Sequence, residues 1–119
     1  MNKRQLGTVY EQKAAAYLQQ QGYEIMECNF RCRMGEIDLI AQKGRELAFV
    51  EVKLRKSDAF GEAREFVDAR KQERIRATAA LWLETHETAL QPRFDVVEVY
   101  APDGMHTKAP EIRLIEDAF

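Results

Sequence analysis

Cysteine is scarce in this 119-residue chain: there are two, Cys28 and Cys32. On an extended strand four residues span roughly 13 Å, too far for a disulfide. A zinc site wants about four ligands, and the two histidines, His86 and His106, stand singly and far apart. Both thiols are therefore expected to be reduced and structural. Long apolar runs are also missing, which argues against a membrane span. The opening "MNKRQLGTVYEQ" has no apolar core of the kind a secretory signal needs, so the cytoplasm is the expected compartment. Repeats, low-complexity tracts and linker-like segments are absent, and the length suits one domain.

What is present is a globular composition, 45% hydrophobic and 32% charged. The net charge of −2 speaks mildly against a polyanionic partner. Its distribution is more informative. Residues 1–52 carry seven basic and seven acidic side chains, and residues 53–76 carry eight basic against five acidic. Residues 77–119 carry three basic against eight acidic. A basic middle suits a local anionic ligand, although solvated helix faces would give the same count.

Apolar spacing at Leu6, Tyr10, Ala14, Tyr17 and Leu18 predicts a helix from about Leu6 to Gln21, stopped by Gly22. Strands are expected at "YEIMECNFR", "GEIDLIAQ" and "ELAFVEVKL". "SDAFGEAREF" reads as a loop with at most a short helix. A second helix is expected from about Ala69, capped by Asp68, to about His86, with Ile75, Ala79, Trp82 and Leu83 as its stripe. "RFDVVEVY", a turn at "APDG" and a short strand "EIRLI" complete the chain. The order is α-β-β-β-α-β-β. It predicts an α/β fold in which two helices cover opposite faces of one mixed sheet, and this explains why the central strands are so apolar.

The stretch "GEIDLIAQKGRELAFVEVK" departs from that apolar rule. Gly44-Arg45 fits a two-residue type II′ turn, which takes Gly first. Counting back from it pairs Lys43 with Glu46, Ile40 with Phe49, Asp38 with Glu51 and Glu36 with Lys53. Ile37, Leu39, Val50 and Val52 then share the other face. Opposed carboxylates repel, and a divalent cation with hard oxygen ligands would neutralise them. A polar outer face of a hairpin remains the alternative. Glu11 flanks the apolar stripe of the first helix. Lys71 and Gln72 open the second helix, where a lysine is unfavourable to the macrodipole. Each is either a site residue or plain helix surface.

"GEIDLIA" followed by "FVEVK" resembles the PD-(D/E)xK nuclease core: an Asp, a short hairpin, then Glu-x-Lys. With Gly7 and Glu11, "NFRCRMGEIDLIA", "FVEVKLR", "KQERI", "RFDVV" and the terminal "AF", nearly the whole chain resembles the YraN-like family of uncharacterised small bacterial proteins. Ile37 stands where the generic motif has Pro. The resemblance implies a restriction-endonuclease-like domain, similar to archaeal Holliday-junction resolvases. It implies Asp38, Glu51 and the Val52 carbonyl as ligands of Mg²⁺ or Mn²⁺, and Lys53 beside the attacking water. It implies Glu11 as the first-helix acid and Lys71 or Gln72 as the accessory position. Arg31, Arg33, Arg55, Lys56, Arg70 and Arg74 are expected to track a nucleic-acid backbone without reading bases. The implied partner is nucleic acid, DNA before RNA, with branched DNA suggested by the resolvases, and a homodimer would suit a symmetric junction.

Overall fold

A computed structural model describes residues 3–55, 67–86, 88–103 and 107–119. The elements follow the expected order: α1 (Lys3–Gln20), β1 (Glu24–Cys32), β2 (Gly35–Lys43), β3 (Glu46–Arg55), α2 (Ala69–Thr85), β4 (Gln91–Tyr100) and β5 (Glu111–Ile115). The expected loop at 57–66, Lys56, and His106 lie outside the described residues.

The strands form one sheet in chain order, β1-β2-β3-β4-β5. All neighbours are antiparallel except β3 and β4, which run parallel and are joined through α2. Parallel pairing requires a crossover, and a helix is the usual one. Each face of the sheet carries its own core. Ala14 and Leu18 of α1 pack with Tyr23, Leu39, Ala41, Ala48, Val50, Val97 and Val99. On the opposite face Ile75, Ala79 and Trp82 of α2 pack with Ile37, Ile40, Leu47, Phe49 and Val96.

Local chemistry sets the ends of these elements. Gly22, at φ 97°, closes α1. Tyr23 N–H donates to the Leu18 carbonyl at 2.9 Å and Gly22 N–H to that of Gln19 at 3.0 Å, the paired bonds of a Schellman end. Asp68 caps α2 as expected, accepting the Lys71 N–H at 2.8 Å. Gly44 takes φ 60° between Lys43 and Glu46 while Arg45 stays at negative φ, as a type II′ turn requires. Gly35 serves a different need: a Cβ there would lie 3.1 Å from Thr78 Oγ1 and 3.5 Å from Arg74 Cβ. Its lack of a side chain lets α2 settle close to the start of β2.

Two features join distant parts of the chain. Phe49 meets Trp82 edge-on at 5.8 Å and stacks on Phe94 at 5.6 Å, which in turn stacks on Phe119. Asp95 is fully buried and holds the Arg93 guanidinium with both oxygens, at 2.8 Å and 3.0 Å from Nε. Arg93 also donates to the Tyr23 hydroxyl and to Glu46, and Asp95 accepts the Asp117 N–H. A buried charge demands such a partner set. Here the set binds β4 to the exit of α1, to β3 and to the C-terminal turn.

Phe49 is fully buried at the centre of the aromatic stack. Phe49→Ala is expected to lower the unfolding free energy by about 3–5 kcal/mol, measured by urea denaturation. A loss under about 1 kcal/mol would mean that the α2-side core collapses onto the vacancy and does not depend on this ring.

Candidate functional site

The hairpin register holds from Lys43↔Glu46 through Ile40↔Phe49 to Leu39↔Val50. There it stops. Asp38↔Glu51 and Glu36↔Lys53 are not rungs of the ladder, contrary to the count from the turn. Instead Asp38 Oδ2 accepts the Val52 N–H at 2.7 Å, so a side chain takes the place of a strand carbonyl. β2 and β3 part at this point.

The parting coincides with a break in side-chain alternation. Leu39 and Ala41 face the α1 core, and Ile40 faces the α2 core. Strict alternation would return Ile37 to the α1 side, as expected from the sequence, yet Ile37 packs on the α2 side beside Ile40 and Phe49. The partner strand changes phase at the same level. Cys28 lies opposite Leu39 and Phe30 opposite Ile37, which leaves Asn29 at the level of Asp38. Asn29 has φ 55°, a left-handed conformation that Asn tolerates better than most residues.

Three carboxylates meet in this break, with Glu51 beside them. Oxygens of Glu11, Glu36 and Asp38 lie within 4.8 Å of one another. Glu51 is 8% exposed, and its charge acts on Asp38. Burial first, then the Glu51 charge, push the Asp38 carboxyl up to about 8, against the pull of the Val52 N–H; Glu11 and Glu36 add to the rise. Burial also raises Glu11, opposed by a hydrogen bond from Asn29. Glu11 Oε2 is a buried atom with no hydrogen-bond partner among the described residues.

The N-terminus of α2 supplies the countercharge. Lys71 Nζ lies 2.6 Å from Glu51 Oε1. Burial alone would lower the Lys71 ammonium, but the hydrogen bond and charge of Glu51 outweigh it and hold it above its ordinary value. A cavity of about 450 Å³ opens here, lined by Glu36, Asp38, Glu51, Lys71, Arg70 and Arg74 among others.

The expected residues thus fall into two groups. Asp38, Glu51, Glu11 and Lys71 come together, with Val52 held through its amide. Arg70 and Arg74 are exposed on the cavity wall, Arg33 is exposed, and Arg31 pairs with Glu36 at 3.2 Å. Lys53 continues β3 in register with Glu98, outside the cavity lining. The Gln72 amide donates to the Val67 carbonyl at 2.7 Å and is turned from the cavity. Arg55 is drawn into the sheet by the buried Glu98, 2.6 Å away. Glu36 and Asn29 were missed as site residues. Glu36 had a signal, lying two positions before Asp38 in "GEID". Asn29 had none, because strand patterns assume unbroken alternation.

All the candidate ligands are hard carboxylate oxygens, three of them already close together. Mg²⁺ and Mn²⁺ take such donors at about 2.1 Å, which sets oxygens up to about 4.2 Å apart around one ion. Glu11, Glu36 and Asp38 therefore fit either ion with little movement, whereas Glu51, outside that group and paired with Lys71, would have to turn toward it.

In EDTA the folded chain binds a proton at Asp38 that the unfolded chain has released. The proton-linked stability is full below the ordinary carboxylate range and is lost as pH rises through about 8. Thermal melting is therefore expected to fall from about pH 5 to pH 8. Asp38→Asn should flatten the profile and stabilise the protein at pH 8 by on the order of 1 kcal/mol. An Asp38→Asn profile parallel to wild type would contradict this assignment.

Comparison with known proteins agrees with the resemblance to a family of uncharacterised small bacterial proteins. A UPF0102 protein of Caldicellulosiruptor saccharolyticus is 42% identical over 120 residues, covering both chains fully. One from Moorella thermoacetica is 46% identical over 120 residues, covering all of this chain and 98% of its own. One from Photobacterium profundum is 46% identical over 106 residues, 87% of this chain and 85% of its own. The profile of Uncharacterised protein family UPF0102 matches residues 10–99, which contain the whole carboxylate site. The chain belongs to family UPF0102.

Proposed function

We propose that this protein is a metal-dependent endonuclease that hydrolyses phosphodiester bonds of DNA, with branched DNA as its preferred form. The observation that carries the reading is the convergence of Glu11, Glu36, Asp38 and Glu51 where β2 and β3 part, beside a cationic cavity wall. Proteins do not bury like charges without a compensating ligand unless they accept a cost in stability. The "GEIDLIA…FVEVK" resemblance to the PD-(D/E)xK core supports the same reading.

In this reading Asp38 and Glu51 hold Mg²⁺ or Mn²⁺, with Glu11, Glu36 and the Val52 carbonyl as further oxygen donors. When bound, such an ion polarises a phosphoryl oxygen and acidifies a water. Lys53 lends positive charge where negative charge develops on the phosphate. Lys71 neutralises Glu51, and with Glu51 on a cation its ammonium would be free to face the phosphate. Arg33, Arg70 and Arg74 contact the phosphate backbone. Such contacts give affinity that falls with salt and does not depend on sequence.

A non-catalytic nucleic-acid-binding module is the alternative. The Lys71–Glu51 pair favours it to the extent that it balances Glu51 without a metal.

Labelled single-stranded, duplex, flap and four-way-junction DNA, incubated with Mg²⁺ or Mn²⁺, distinguishes the two. Wild type is expected to cut the branched substrate, and folded Glu51→Ala to lose about 100-fold or more of that rate. Metal-dependent binding with no cleavage of any substrate would favour the binding module. Equal cleavage by both proteins would remove this site from the reaction.

A further inference from the structure

We infer that Asn29 is a positioning residue for the carboxylate site, aiming Glu11 at the ligand. The inference rests on the reading of this site as a divalent-cation centre.

Three observations converge on Asn29. It occupies the level of Asp38 between the paired rungs Cys28↔Leu39 and Phe30↔Ile37. Its φ of 55° is one of only two positive values at non-glycine positions among the described residues, and the other, Asp117, is near the C-terminus. Its side chain hydrogen-bonds Glu11. A carboxylate can only accept, so the Asn29 amide donates.

The consequences follow from geometry. A left-handed residue inside a strand reverses the alternation of side chains beyond it. That reversal carries Phe30, with its partner Ile37, to the α2 side of the sheet. It also leaves the Asn29 amide directed to α1, where Glu11 stands. One oxygen of Glu11 is then held by the amide, while Oε2, buried and without a hydrogen-bond partner among the described residues, stays available to a ligand. One residue thus bends β1 opposite Asp38 and fixes the acid that α1 contributes. A neutral donor suits the position, because an acidic side chain would add a further negative charge to the cluster.

The test separates the bend from the amide. Glycine adopts positive φ without steric strain, so Asn29→Gly keeps the bend and removes the donor. Mn²⁺ affinity is read by electron paramagnetic resonance titration, beside thermal melting in EDTA. Partners that orient metal ligands are worth about 10–100-fold in metal affinity. Asn29→Gly is expected to raise the Mn²⁺ Kd by about 10-fold or more while melting in EDTA stays close to wild type. In a Glu11→Gln background the same change should have no further effect on Kd. Unchanged Kd in Asn29→Gly overturns the inference, as does an equal loss in both backgrounds. Should the glycine variant not fold, Asn29→Ala, which also removes the donor and adds no charge, is read the same way below its melting temperature. Wild type that binds no Mn²⁺ overturns the cation reading itself, and the positioning role with it. That outcome is distinct from a wild type that binds and a variant that binds equally well.

Discussion

The bond from the Val52 N–H to Asp38 Oδ2 is the interaction on which the site depends. Beyond Leu39↔Val50 the hairpin gives up its ladder, and the freed amide must find another acceptor or remain a buried orphan. Asp38 supplies that acceptor. The strands can then part without losing the hydrogen bond, and the gap admits acids from both faces of the sheet: Glu11 from the α1 side, and Glu51 with its Lys71 partner from the α2 side. A regular ladder would have kept these groups on separate faces. The cost is a carboxyl buried near like charges, visible in the rise of Asp38 to about 8.

The surrounding fold can carry that cost because both faces are firmly packed. On one side α1 sets the fully buried Ala14 and Leu18 against the sheet. On the other, Gly35 lets α2 approach closely, and Trp82 meets Phe49. The close seat of α2 also fixes where Lys71 reaches, so the packing of a glycine and the neutralisation of Glu51 are linked. Further along the sheet, the Arg93–Asp95 pair binds β4 to β3 and to the C-terminal turn, and it holds the parallel strand against which β3 is aligned.

Much of this was legible in the residues. Gly44 in a two-residue turn set the hairpin register as far as Val50. Gly22 and Asp68 marked the helix ends, and the dense apolar residues of the central strands implied cover on both faces. The sequence reading departed from the structure where a rule of periodicity was extended through an irregular level. Ile37 was expected beside Leu39 and lies beside Ile40, because Asn29 and Asp38 break the alternation together. Glu36 accordingly lies with Glu11 and Asp38 and not opposite Lys53. The role of Arg55 depends on a carboxylate contributed by another strand, Glu98. No local pattern encodes such partners. Arg93 and Asp95 are likewise read only once Tyr23, Glu46 and Asp117 have been brought beside them.

The central claim is that these carboxylates hold a divalent cation. Diffraction from crystals grown with Mn²⁺, collected at the manganese absorption edge, tests it most directly. The account predicts an anomalous peak at about 2.0–2.3 Å from an Asp38 oxygen, within reach of Glu51 or of Glu11 and Glu36, with Lys71 moved from Glu51 if Glu51 ligates the ion. A map with no peak at Asp38, and these side chains arranged as they are without metal, would contradict it.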